Sequence, residues 1–139
     1  MNYILFDIEC YQNYFLVSFR SNRGRKVSFE MFDGQPLDTG GLRRVIESGI
    51  ELVSFNGANY DVPMIRLALT GADCAALKAM SNDIIESDIK PWDAERKYAL
   101  PPIQINHIDL KEVAPGTTRG SARRERSARG AAAVLRERS

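Results

Sequence analysis

Phe6-Asp7-Ile8-Glu9-Cys10, reached through the run Tyr3-Ile4-Leu5, is the stretch around which the chain is organised. Tyr3, Ile4, Leu5 and Phe6 are aromatic, branched or aliphatic, as expected of a strand buried on both faces. Asp7 and Glu9 follow at its end. Residues two apart in a strand project to the same side, so both acids share a face. Inside a core that arrangement is costly, because like charges repel and are poorly solvated there. A divalent cation removes the cost, and hard cations such as Mg²⁺ and Mn²⁺ take carboxylate oxygens. A strand that surfaces at Asp7 and leaves both acids in water accounts for the pair equally well. The choice between the two turns on a second stretch downstream.

That stretch is Val53-Ser54-Phe55-Asn56-Gly57-Ala58-Asn59-Tyr60-Asp61-Val62-Pro63-Met64-Ile65. An apolar strand ends in amide side chains and a glycine, and Asp61 then opens a helix. An acid in a helix's first turn is favoured by the helix dipole, and Asn56 and Asn59 are ordinary turn and cap residues. If this strand lies beside the first, however, Asp61 comes close to Asp7 and Glu9, and three acids make a better metal site than two.

Between and beyond these stretches the chain alternates regular patterns. Residues 2–9, 14–20 and 26–32 read as three strands of an antiparallel meander with one face partly solvated. A Gly- and Pro-rich loop over 33–41 precedes a helix over 42–48, with Gly49 as its C-cap. Residues 50–55 form a short strand expected to run parallel to the first. Pro63 is tolerated only in a first helical turn, which starts the next helix near 59–61. A further helix over 73–86, a shorter one over 91–100 and a fifth strand over 103–110 complete an α/β mixed sheet with packed helices.

Composition bounds the function. The chain has 139 residues, 44% hydrophobic and 27% charged, the balance of a globular domain of ordinary size. No apolar run approaches the ~20 residues of a membrane span, and no secretory leader pattern opens the chain. Cys10 and Cys74 are too few for a disulfide framework or a thiolate metal site, so a reducing, cytoplasmic setting is expected. Residues 1–116 carry 12 Lys+Arg and 16 Asp+Glu, whereas 117–139 carry 7 Arg and 2 Glu.

Phe6-Asp7-Ile8-Glu9 resembles the first motif of the DEDD 3′–5′ exonucleases, which have a ribonuclease H-like fold. Phe55-Asn56-Gly57-Ala58-Asn59-Tyr60-Asp61-Val62-Pro63 resembles their second motif, closest to the version in the proofreading domains of family B DNA polymerases. The resemblance covers about residues 1–115 and includes the meander between the motifs. It implies a two-metal, Mg²⁺- or Mn²⁺-dependent hydrolysis of phosphodiesters, with Asp7 and Asp61 as metal ligands and Glu9 as a ligand that also orients the attacking water. Asn56, Asn59 and Tyr60 would line the cleft for a single-stranded DNA 3′ end, through stacking and sugar-phosphate contacts rather than base readout. A DNA polymerase is the partner this implies, in a small, phage-like setting.

The third motif of that family, a Tyr or His shortly before a fourth Asp on a C-terminal helix, is absent. His107-Ile108-Asp109 sits in the expected fifth strand and resembles the segment preceding that motif. His107 reads as a polar strand residue, Asp88 and Asp93 as solvated loop acids, and Cys10 as a small buried hydrophobe. The expected domain, residues 1–116, is therefore a C-terminally incomplete ribonuclease H-like unit. Residues 117–139, rich in Arg, Ala, Gly and Ser, cannot bury enough apolar surface to order themselves. They read either as a basic arm for nucleic-acid phosphates or as out-of-frame translation of GC-rich coding sequence, the second being favoured. The alternatives to a DNA exonuclease are a non-catalytic nucleic-acid-binding remnant and an RNA-directed nuclease of the same fold.

Overall fold

A computed structural model describes residues 2–113 of the chain. The segment read as an arginine-rich tail, 117–139, lies outside the described residues.

The first strand, β1 (Tyr3–Tyr11), is longer than its apolar run; Tyr3 is buried on one face and Phe6 and Ile8 on the other. Phe6 and Ile8 face the core, while the intervening Asp7 and Glu9 are exposed. Both faces are covered over Tyr3–Phe6, and beyond it the charged side chains at 7 and 9 keep the second face in water. A tight connection at Gln12-Asn13 turns the chain into β2 (Tyr14–Ser21), antiparallel to β1 from Ile4↔Ser21 to Tyr11↔Tyr14. Phe15, Val17 and Phe19 alternate inward along β2. The strand β3 (Lys26–Phe32) closes the meander and forms one edge of the sheet, so only Met31 of its apolar residues is fully covered.

The helix α1 (Thr39–Ile46) starts earlier than residue 42, because the Asp38 carboxylate accepts the Gly41 N–H at 2.9 Å and caps a turn that includes both glycines. Gly49, at φ +86°, then reverses the chain into β4 (Glu51–Ser54). That strand pairs parallel with β1 (Ile4↔Leu52, Leu5↔Val53), as expected of a strand returning after a helix. It is followed by α2 (Asp61–Ala68), α3 (Cys74–Glu86) and α4 (Pro91–Lys97). Asp73, expected within the third helix, is instead its N-cap and accepts the Ala76 N–H at 2.8 Å.

The last strand, β5 (His107–Asp109), is parallel to β4 and leads directly into the short α5 (Leu110–Val113). It is shorter than the expected 103–110. The partner β4 offers only four residues, and Ile103 and Ile105 pack against the core from irregular backbone. The result is an α/β fold with a five-stranded mixed sheet of order β3-β2-β1-β4-β5, in which β1 is central. Phe6, Ile8, Phe15, Val17 and Phe19 share one cluster with Leu42 and Ile46 of α1, Met64 and Ile65 of α2, and Leu77 and Met80 of α3. Among the described residues no helix is long and apolar enough to cross a membrane.

Candidate functional site

β1 and β4 are neighbours and parallel, and β4 ends at Ser54 while β1 runs on to Tyr11. The chain leaving the carboxyl end of β4 therefore passes beside the second half of β1, the kind of place where a ligand crevice forms in an open α/β sheet. Asp7 stands just past the last residue pair of these strands, Leu5↔Val53. From β4 the chain enters residues 55–60, a loop held by backbone and side-chain hydrogen bonds. Asn56, at φ +66°, offers its carbonyl to the Tyr60 N–H at 3.1 Å, and the Gly57 carbonyl accepts the Val62 N–H at 2.7 Å. The loop thereby becomes the first turn of α2, whose opening residue is Asp61.

The anchor of this loop is Asp109, at the end of β5 and 4% exposed. Its carboxylate accepts the backbone N–H groups of Asn56 at 2.7 Å, Ala58 at 3.0 Å and Lys111 at 2.9 Å. Beside it, Ser54 Oγ and His107 Nε2 are hydrogen-bonded at 2.7 Å, and the His107 ring meets Phe6 edge-on at a centroid distance of 5.5 Å. Burial holds the His107 pKa below its ordinary value, with Asp109 acting in the opposite sense. Gly57 lies directly over this pair: a Cβ there would overlap Ser54 and come within 3.0 Å of His107 Nε2. The sequence had singled out the second motif but given Asp109 no role beyond its strand. The signal was its place at the end of the strand neighbouring β4, opposite Ser54.

Asp7 and Asp61 line one cleft of about 450 Å³, together with Asn56, Tyr60, the end of α3 at Ile84 and Ile85, and Asp88. Asp61 is 5% exposed, and among the described residues no hydrogen bond or ion pair reaches its carboxylate. Burial first, then Asp7, then Asp109 push its pKa up to about 7. The Tyr60 hydroxyl is hydrogen-bonded to Ser81 Oγ of α3 at 2.8 Å, which fixes the ring at the cleft wall. The Asn59 amide donates to Asn56 Oδ1 at 3.1 Å; Asn59 buttresses the loop and is not one of the cleft-lining residues.

Glu9 does not share this cleft. It is exposed two residues further along β1, near Tyr14, whose phenol is held up first by its hydrogen bond to Glu30 and least by Glu9. Among the described residues no group of three or more His, Cys, Asp or Glu side chains is arranged to hold a metal ion. The two acids brought together are Asp7 and Asp61, with Asp109 behind them. Asp88, at φ +51°, is exposed and ion-paired with Lys90 at 3.4 Å, and Asp93 closes the first turn of α4 on the Lys90 N–H. Cys10 is half-buried against the core, and burial pushes its thiol up to about 11, so it behaves as a small hydrophobe.

The donor set suits a hard divalent cation. It consists of oxygen atoms alone, it is anionic, and its buried member has no positive neighbour among the causes that shift its pKa. Compared with protein-family models, curated proteins and solved structures, the chain finds no match.

Proposed function

We propose that the chain is a metal-dependent 3′–5′ exonuclease of the DEDD type on a ribonuclease H-like sheet, acting on single-stranded DNA ends. The observation that carries this reading is that Asp7, two residues past the β1–β4 seam, and Asp61, at the start of α2, line one cleft with no basic side chain among its described lining residues. A three-strand antiparallel meander continued by two parallel strands supports the ribonuclease H-like part of it.

In this reading Asp7 and Asp61 hold the divalent cation, which when bound supplies charge neutralisation and activation of water for phosphodiester hydrolysis. Asp61 reaches this role by giving up a proton held near neutrality, so metal binding and its deprotonation are coupled. The Tyr60 ring, fixed by Ser81, offers a stacking wall for the terminal base. Asn56 presents its amide from a backbone conformation that Asp109 fixes through the Asn56 and Ala58 N–H groups. Asp109 is in this sense a positioning residue. Glu9, which the resemblance would have orient the attacking water, does not line this cleft and is given no role in this reading.

The test is the shortening of a 5′-end-labelled single-stranded DNA oligonucleotide with Mg²⁺ or Mn²⁺. Stepwise loss from the 3′ end is expected, falling at least 100-fold in Asp7→Ala and stopping in EDTA. An RNA oligonucleotide of the same sequence distinguishes the RNA-directed alternative. The position of Glu9 beside Tyr14, away from the other two acids, favours the second reading, a non-catalytic nucleic-acid-binding remnant. Binding without any cleavage, equal in wild type and Asp7→Ala, would establish that reading instead.

A further inference from the structure

At the other end of the sheet, away from the Asp7–Asp61 cleft, a pocket of about 650 Å³ opens between the N-terminal end of β1, the turn joining β2 to β3, and α1. Its volume falls within the range of small-molecule sites. The walls are apolar and partly aromatic. Phe19 and Phe29 stand edge to face at a centroid distance of 6.0 Å, and Val45 packs beside them. Two further wall residues, Val27 and Ile50, are 47% and 38% exposed, so apolar surface that a ligand would cover is left in water.

The polar lining is strongly one-sided. Arg23, Arg25 and Arg44 all border the pocket, and among the described residues none of their guanidinium groups has a carboxylate partner. The contrast within α1 is direct: Arg43 is ion-paired with Glu47 at 3.2 Å, whereas its neighbour Arg44 borders the pocket with no carboxylate partner among the described residues. The one acid in the lining, Asp38, is committed to capping α1 through the Gly41 N–H. Three guanidiniums with no carboxylate partner among the described residues, around an aromatic cavity, match a ligand with a flat apolar body and a compact, doubly ionised oxyanion, which Arg recognises through paired N–H donors.

We infer that this pocket is a binding site for an aromatic phosphate monoester of the nucleoside monophosphate class, separate from the acidic cleft and independent of the activity proposed for that cleft. The ring system lies among Phe19, Phe29 and the exposed aliphatic residues, and the phosphate among Arg23, Arg25 and Arg44.

The test is calorimetric titration of the full chain in EDTA, so that no divalent cation recruits the ligand to the acidic cleft. Adenosine 5′-monophosphate, unphosphorylated adenosine and inorganic phosphate are the three probes. The monophosphate is expected to bind at least tenfold more tightly than either fragment. Arg44→Ala and Arg25→Ala are each expected to weaken it at least fivefold with unchanged far-ultraviolet circular dichroism, and Asp7→Ala to leave it unaltered. Absence of monophosphate binding at millimolar concentration, or equal affinity for inorganic phosphate alone, would overturn the inference. So would an affinity lost in Asp7→Ala but kept in Arg44→Ala, which would put the ligand in the acidic cleft.

Discussion

Asp61 is a buried carboxylate with two acids for neighbours and, among the described residues, no cation beside it, so its charge opposes folding. Its pKa rises from 3.8 to about 7 in the fold. The proton it keeps contributes stability that is fully present below pH ~4 and is lost as pH rises through 7, amounting to about 4 kcal/mol at most. Urea unfolding in EDTA should therefore show Asp61→Asn gaining on wild type between pH 4 and 8, with the difference levelling off above pH 8. A difference that does not change with pH would show that Asp61 is not perturbed. The sequence made this residue visible through its motif and its place at a helix start. Its burial was not visible, because that depends on the end of α3 and on Asp109 closing around it.

At the scale of elements, the site depends on one loop and one strand. Asp109 satisfies three backbone N–H groups, two of them in the loop that carries Asn56 into α2. Asp109→Ala strands those donors and should cost about 2–4 kcal/mol, measured as the shift in urea midpoint. A loss below 1 kcal/mol would mean that the loop holds itself. Gly57→Ala should cost about 1–3 kcal/mol by forcing Ser54 and His107 apart, and wild-type stability in that variant would contradict the close approach. Of the elements, the meander was legible because Phe15, Val17 and Phe19 alternate cleanly, and β4 because it returns after a helix. The fifth strand was over-read. Ile103 and Ile105 are apolar and alternate, but they bury themselves without a ladder, since β4 is too short to pair them. The start of α1 was missed because Gly40 and Gly41 look like loop residues until Asp38 caps them.

For the whole molecule, the sheet order β3-β2-β1-β4-β5 places Asp7 of the central strand just past the end of the only parallel seam that β1 makes among the described residues. That placement follows from the chain path, and the antiparallel meander followed by a helical return already pointed to it. The helices, by contrast, share a core cluster with just one face of the β1–β2 hairpin, that of Phe6, Ile8, Phe15, Val17 and Phe19. Leu5, Asp7, Ser18, Arg20 and Val53 border an open groove, an asymmetry that periodicity alone does not reveal. The central claim is that Asp7 and Asp61 jointly hold a divalent cation, and electron paramagnetic resonance of free Mn²⁺ during titration at pH 7.5 tests it most directly. The account predicts binding by the wild-type chain that weakens at least tenfold in both Asp7→Asn and Asp61→Asn, while Asp93→Asn behaves as wild type. Mn²⁺ binding that is undiminished in both cleft variants would contradict it.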